Sequence, residues 1–350
     1  MFNSSWFISL FNGSVNGSIE TSWQTAAVLA IAAALDFGIG DPWHWPHPVQ
    51  AMGKAIEIYQ SVVLDEKGNP QGAPWAMKLA GVGLAGLLII GAGGLCWAGL
   101  HLLGLGSTWA QKAAEAIVLA SCFAGQSLRR AAIAVLTPLQ AGDLPTARTT
   151  LAMFVGRDTD SLSAAEIRRA VLETVSENAI DGVLAPLFYA IVGGLAGLAA
   201  PVAIAYKAAS TLDSMVGYRT AAYKDLGWCS ARLEDALTWL PCRLSTLTIA
   251  LLSGQPGHVL RLCQRDAPAD PSPNAGWSEC AYAAALGVRL GGENRYRSKV
   301  TQKPYLGDAI RPITDEAIAR ALYLTRWSFL IGLGAGECLL LGRWLLARGL

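Results

Sequence analysis

The sequence is short of charge. Of its 350 residues, only 15% are Asp, Glu, Lys or Arg, against about 25% in ordinary soluble domains. Too few remain to cover a water-facing surface. Hydrophobic residues reach 53% even before glycine is counted, which excludes intrinsic disorder. The net charge of +1 leaves no basic surface for nucleic acid. The seven cysteines are scattered with no CxxC pair, so neither a disulfide framework nor a zinc site is indicated. No Lys or Arg precedes Lys54, so the basic region of a signal peptide is missing. A GxxxxGK[ST] phosphate loop, a kinase signature and a GxSxG elbow are also missing. Any use of a nucleotide would need a different phosphate site.

What the chain has instead is uncharged length. Residues 79–111 form a run of 33 without charge, well beyond the roughly 20 that cross a bilayer. Residues 182–206 form another, of 25. Shorter candidates lie at 22–39, 113–136, 237–254 and 321–347. The expectation is an all-α, polytopic integral membrane protein with five or six membrane helices. It would form one membrane domain over 1–350, with a loose polar tail at 1–20 and polar functional loops at 137–182, 207–236 and 255–317. Gly81-Val-Gly83-Leu-Ala-Gly86 matches GxGxxG literally, but no acidic residue follows until Glu115. These glycines therefore read as close helix packing rather than a dinucleotide loop. Gly193-Gly194 and Pro201 interrupt the 183–206 run. A broken or re-entrant segment there would bring the loops on either side of it to one face. The flank without basic residues predicts the N-terminus outside and the 41–77 loop inside.

The remaining charges gather in compact groups beside apolar segments, where ionisable groups are costly and usually functional. Asp36 and Asp41 precede Pro42-Trp43-His44-Trp45-Pro46-His47, with the tryptophans suited to the interface. The two histidines read as structural rather than metal-binding. Arg157, Asp158 and Asp160 lie just before Ser163-x-x-Glu166, a capping box that predicts a helix from about 164. Such a turn and helix start can hold phosphate. Glu173, Glu177 and Asp181 fall at i, i+4 and i+8 on that helix. No basic residue between Arg169 and Lys207 offsets them locally, so a divalent cation or a cationic substrate group is expected to do so. Lys207, Ser210, Thr211 and Ser214 share a helical side that can face a phosphate, with Asp213, Arg219, Arg232, Glu234 and Asp235 nearby. The last group is Ser272-Pro273-Asn274-Ala275-Gly276 with Glu279, then Arg289, Gly291-Gly292 and Asn294.

These groups together resemble the CobD/CbiB family of cobalamin-biosynthesis membrane proteins, the adenosylcobinamide-phosphate synthases, over about residues 25–310. The resemblance rests on Asp36, Gly40-Asp41-Pro42 and Pro46-His47-Pro48; on Gly156-Arg157-Asp158-Thr159; and on Glu173-Thr174-Val175-Ser176-Glu177-Asn178 with Asp181-Gly182. It extends to Tyr206-Lys207, Thr211-Leu212-Asp213-Ser214-Met215 with Gly217-Tyr218, to Ser230-Ala231-Arg232, and to Ser272-Pro273-Asn274-Ala275-Gly276 with Gly291-Gly292. Where the family commonly has His-Arg, this chain has Asp270-Pro271.

The resemblance implies ATP-dependent amide formation. Aminopropanol, free or as its phosphate, would be joined to the propionate of adenosylcobyric acid, giving adenosylcobinamide phosphate, with ATP as co-substrate and Mg²⁺ required. It implies Glu173, Glu177, Asp181 and Asp213 as catalytic, the first three also as Mg²⁺ ligands. Asp36, Asp41, His47, Arg157, Asp158, Lys207, Ser214, Arg219 and Asn274 would bind substrate and phosphate. It implies a multi-pass protein of the inner membrane with its site toward the cytoplasm, partnered by the lipid bilayer and by other late cobalamin-pathway membrane enzymes. Two other classes make different predictions. A signalling homologue related to modulators of β-lactamase induction would lack the polar groups. A transporter would move corrinoid without MgATP.

Overall fold

A computed structural model describes residues 22–41, 46–65, 68–218, 220–296 and 299–348. The expected tail at 1–20, the tryptophans Trp43 and Trp45, and Arg219 lie outside the described residues. The chain is an all-α membrane protein in class, with one antiparallel hairpin added. It divides into two compact units: residues 1–123, 186–234 and 331–350 form unit 1, and 124–185 and 235–330 form unit 2.

Unit 1 begins with α1 (Ser22–Gly38), α2 (Pro48–Val63), α3 (Pro74–Gly106) and α4 (Thr108–Cys122). It continues with α8 (Ala185–Gly194) and α9 (Ala199–Val216). Helix α9 packs on α2, α3 and α4, and α1 packs on α4. Ile56, Leu84, Ala85, Leu212 and Val216 close this core. The start of α10 (Trp228–Leu252) and the end of α13 (Asp315–Ala347) complete the unit.

Unit 2 holds α5 (Gly125–Gln140), α6 (Leu144–Ala152) and α7 (Ala164–Ala179). A π-turn (Ile180–Leu184) follows α7. The rest of α10 belongs here with α11 (Pro256–Asp266), α12 (Ala275–Leu286) and the first part of α13. Strands β1 (Leu290–Tyr296) and β2 (Lys299–Leu306) form the hairpin. Helices α5, α6 and α12 pack against α7, and the hairpin lies on α12. Tyr282 and Ile167 are fully buried in this core.

The expected capping box starts α7. Glu166 N–H donates to Ser163 Oγ at 3.3 Å, and Ser163 N–H donates to Glu166 Oε2 at 2.7 Å. The π-turn arises where the Gly182 carbonyl accepts the Ala124 N–H at 2.9 Å, which diverts a backbone group from the regular helical ladder.

The predicted break in 183–206 is present. Helix α8 ends at Gly194, and the chain turns over Leu195–Leu198 before α9. Gly197 has φ +73°, and a Cβ on Gly193 would fall 2.5 Å from the Leu198 carbonyl oxygen. Glycine is required at both positions.

Three stretches among the described residues are long and apolar enough to cross a membrane: Pro74–Gly106, Ala164–Gly194 and Asp315–Ala347. The sequence expectation was five or six. The differences have local causes. The 79–111 run stops being one helix at Ser107, whose Oγ caps α4 by accepting the Ala110 N–H. The 113–136 candidate splits at Phe123–Ala124. The described part of α1 has 17 residues, or roughly 25 Å at 1.5 Å per residue, against a hydrocarbon core of about 30 Å. The stretches read as polar loops are largely folded: α6 and α7 lie in 137–182, and α11, α12 and the hairpin lie in 255–317.

Burial separates two kinds of apolar helix. Only 17% of the apolar window is buried in Pro74–Gly106 and in Asp315–Ala347, against 61% in Ala164–Gly194. The first two offer Leu87, Ile90, Leu95, Leu339 and Leu346 outward, as lipid-facing helices do.

The literal GxGxxG lies inside α3 and acts in packing at one point. A Cβ on Gly81 would fall 2.0 Å from the Leu226 carbonyl oxygen, while Gly83 and Gly86 meet nothing within 4 Å. Gly81→Ala is expected to destabilise unit 1 by about 1–3 kcal/mol through overpacking, and Gly83→Ala to change little. Thermal melts of both variants in detergent check this, and equal melting temperatures would contradict it.

Candidate active site

The densest polar chemistry lies in unit 2 and starts with a buried carboxylate. Glu173 on α7 is 1% exposed. A carboxylate so placed is tolerated only when paired and hydrogen-bonded. Its Oε2 accepts from Arg157 Nη2 at 2.5 Å, and its Oε1 accepts from Arg169 Nη1 at 3.1 Å and from the Gly291 N–H at 3.0 Å. Asn294 Oδ1 accepts from Arg157 at 2.8 Å and from Arg169 at 3.2 Å. Arg169 also donates to the carbonyls of Gly291 (2.7 Å) and Glu293 (2.8 Å). The hairpin is thereby clamped onto α7.

The Gly-rich start of β1 makes that clamp geometrically possible. Gly291 and Gly292 have φ +84° and +95°. A Cβ on Gly291 would fall 1.9 Å from the Pro304 carbonyl oxygen. The strand register shifts between Leu290 and Gly292. This bulge directs the N–H and C=O of Gly291 to the acid and base of one ion pair.

Glu177 follows one turn after Glu173. Its side chain is accessible, yet Lys303, Asp270, Glu173 and Arg157 all act on it electrostatically. It therefore sits in a strongly charged neighbourhood. Glu279 on α12 is fully buried, and its Oε1 accepts from Lys303 Nζ on β2 at 3.0 Å. Ser278 Oγ donates to the Ser176 carbonyl, fixing α12 beside this part of α7. Burial pushes the Glu279 carboxyl up to about 8, with Lys303 opposing and Glu177 and Glu173 reinforcing the shift. For Lys303, burial acts downward but the carboxylates of Glu279 and Glu177 outweigh it, so its ammonium is held more tightly than usual.

The structure brings some of the sequence-derived candidates together in unit 2 and assigns others to unit 1. Arg157, Glu173 and Glu177 belong to one network. The compensation that local sequence did not offer to the acidic stripe comes from Arg157 and from Arg169 at i−4. Asp181 sits on the π-turn, which ends the i, i+4 register, and acts on Cys242 of α10. Asp158 joins the turn before α7 to β1, its N–H donating to the Arg295 carbonyl at 2.8 Å. Asn274 is buried, and its amide links α12 to α10. Its Oδ1 accepts from Arg243 at 3.1 Å, and its Nδ2 donates to the Asp235 carbonyl at 2.9 Å.

The remaining candidates belong to unit 1. His47 caps α2, with Nδ1 accepting the Val49 N–H at 3.2 Å, which leaves Nε2 directed to Asp41 Oδ1 at 3.3 Å. Asp36 is buried near the end of α1. Lys207 on α9 and Asp41 both act on the buried Cys122 thiol. Ser214 Oγ donates back to the Thr211 carbonyl at 2.9 Å. Asp213 lies against Gly217, where a Cβ would fall 2.0 Å from its Oδ1.

Arg169, Asp270, Glu279, Asn294 and Lys303 were not among the sequence-derived site residues. Glu279 carried a usable signal, as the lone charge in the apolar helix Ala275–Leu286. Lys303 carried none, because its role depends on the hairpin. A resident metal does not fit well: Glu173 has both oxygens occupied, and the described residues contain no group of three or more His, Cys, Asp or Glu placed to hold a metal ion.

Residues 29–325 match the family model described as CobD/Cbib protein. The chain is 50% identical over 312 residues to "Cobalamin biosynthesis protein CobD" of Synechocystis, covering 87% of this chain and 90% of that protein. It is 43% identical over 306 residues to the protein of the same name from Klebsiella pneumoniae, covering 86% and 93%. It is 41% identical over 306 residues to "Cobalamin biosynthesis protein CbiB" of Salmonella typhimurium, with the same coverage. No solved structure matches.

Glu173→Gln breaks a buried carboxylate's pairing with two half-buried arginines and is expected to cost about 3–5 kcal/mol. Hydrogen exchange at the Gly291 amide should accelerate, and unchanged protection there would contradict the clamp. Glu279 titrates in the opposite sense to an ordinary ion-paired carboxylate. Its folded value, about 8, lies above its usual 4.5, so its contribution to stability is complete below pH 4.5 and is lost as pH rises through about 8. Melting temperature should fall across that window in the wild type and fall less in Glu279→Gln. Identical slopes would contradict the assignment.

Proposed function

We propose a function from one premise: the chain belongs to the CobD/CbiB family of cobalamin biosynthesis proteins. The reaction proposed is amide formation between the propionate carboxylate of adenosylcobyric acid and aminopropanol, free or as its phosphate. With the phosphorylated amine, the product is adenosylcobinamide phosphate. The observation that carries this reading is the accessible Glu177, acted on by Lys303, Asp270, Arg157 and the buried Glu173, on the same stretch that carries the family's Glu-Thr-Val-Ser-Glu-Asn pattern.

The chemistry explains why such a charged neighbourhood is useful. A carboxylate does not acylate an amine in neutral water, because oxide would have to leave. In the proposed route a carboxylate oxygen attacks the terminal phosphorus of ATP, and ADP departs. The amine nitrogen then attacks the acyl carbon. The C–N bond forms, the C–O bond to phosphate breaks, inorganic phosphate leaves, and the neutral amine gives up one proton and keeps the other as the amide N–H. Glu177 would be the accessible acceptor for a proton, a role worth roughly 10²–10⁴ in rate. Arg157 and Lys303, the cations that act on Glu177, would favour developing phosphate charge. Mg²⁺ enters with the nucleotide, as is usual for ATP sites, rather than as a resident ion.

The lipid-facing α3 and α13 support a membrane location. We place the protein in the cytoplasmic membrane with Glu177 facing the cytoplasm, where ATP is available.

The test is synthesis by purified protein in detergent or lipid, with adenosylcobyric acid, MgATP and each amine in turn. Amide product should appear only with MgATP. Glu177→Gln should lower kcat by about a hundredfold or more, with little change in the KM for the corrinoid. Undiminished turnover in the variant removes Glu177 from the mechanism. Corrinoid movement across proteoliposomes without MgATP, and no amide, would replace the ligase with a transporter.

A further inference from the structure

We propose that the open groove between α2 and α3 seats an acyl chain of a bilayer phospholipid.

The groove lies wholly within unit 1 and has a volume of about 960 Å³. Helices α2 and α3 form its walls, and α4 and Ile204 of α9 complete it. Met52, Leu100 and Ile204 are buried and make its floor, while Leu87, Leu95 and Leu102 stand exposed at its rim. The space exists because α3 carries glycine along this wall. A Cβ on Gly91 or Gly99 would meet nothing within 4 Å.

The chemistry of the walls selects hydrocarbon. Every side chain lining the groove is apolar, apart from the Cys96 thiol. A bound water needs two to four polar partners, which these walls do not supply. An empty groove would forfeit the dispersion contacts of its lining. A corrinoid is a poor occupant too, because its peripheral amides would be buried without partners.

The surroundings say where the hydrocarbon comes from. Leu87 and Leu95 belong both to the rim and to the outward face of α3, a helix long and apolar enough to cross a membrane. The groove is therefore continuous with the lipid-facing surface. Its α3 wall runs from Leu87 to Leu103, roughly 24 Å at 1.5 Å per residue. One leaflet contributes about 15 Å of a hydrocarbon core of about 30 Å, so a chain entering from one leaflet can lie along the wall. A helix from a second copy is too thick. Roughly 10 Å across and 24 Å long, it would take about 1,900 Å³, twice the space present. Between groups already in lipid the hydrophobic effect adds little, and the chain is held by van der Waals packing.

The experiment reconstitutes purified full-length protein in nanodiscs with a phosphatidylglycerol carrying a diazirine in one acyl chain. After irradiation, the labelled residues are mapped by mass spectrometry. Wild type should label the groove residues of α2 and α3 more strongly than the outward residues Ile90 and Leu346, and unlabelled phosphatidylglycerol should compete at the groove. Gly91→Leu and Gly99→Leu put protein hydrocarbon into the space and should lower groove labelling about tenfold, with Leu346 labelling unchanged. Gly94→Leu is the control. A Cβ there also meets nothing within 4 Å, but Gly94 does not line the groove, so labelling should stay as in wild type. Melting temperatures of the three variants show which are folded, and the wild-type map decides the question even where a variant is not. Groove labelling no stronger than at Ile90 and Leu346, or unchanged in both folded groove variants, would overturn the proposal. So would loss of groove labelling on adding adenosylcobyric acid, or a dimer that covers the groove and dissociates in Gly99→Leu.

Discussion

The structure of unit 2 depends on one buried carboxylate. Glu173 lies on the helix facing the core, where a lone charge would unfold the region. Arg157 from the preceding turn and Arg169 from the previous helical turn neutralise it, and both also hold Asn294. Because the same carboxylate accepts the Gly291 N–H, the hairpin cannot shift without exposing the charge. Everything downstream inherits that geometry. The docked hairpin delivers Lys303 to Glu279, and α7 presents Glu177 one turn further on. A hydrophobic contact in the same place would hold the elements together but would not set their register, since apolar packing is not directional.

The two units use apolar sequence differently. In unit 1, α3 turns most of its side chains outward and keeps a narrow seam near Gly81 and Leu84 for α9 and the chain around Leu226. In unit 2, α7 is buried on most sides and can carry acids, because neighbouring helices and the hairpin supply partners. This division explains how a chain with so little charge concentrates it. Charges placed along α3 would meet lipid, whereas those on α7 meet protein.

Legibility in the sequence followed the range of the interaction. The start of α7 was readable from Ser163 and Glu166, because a capping box is complete within four residues. The break near Gly193-Gly194 was readable from glycine spacing. The helical membrane class was readable from run length. Span number was not, because a single Ser107 or the Phe123–Ala124 corner ends a helix without adding charge. The Glu173–Arg157 pair joined two groups that sequence placed close together, so both residues were found. Lys303 and Asp270 were missed, because they come to act on Glu177 only through the β1–β2 pairing and the tight approach of Asp270 to Gly276. The sequence showed five polar groups as equals. The structure allots Asp36, Asp41, His47, Lys207, Asp213 and Ser214 to one unit and the Glu173 network to the other.

Following the oxygen of the reacting carboxylate tests ATP-dependent amide formation most directly. Adenosylcobyric acid carrying heavy oxygen in that carboxylate would be incubated with purified protein, MgATP and aminopropanol phosphate, and the released phosphate analysed by mass spectrometry. Activation as an acyl phosphate predicts one labelled oxygen in each phosphate released, in step with amide product. Amide product with unlabelled phosphate, or ATP consumption with no amide, would contradict it.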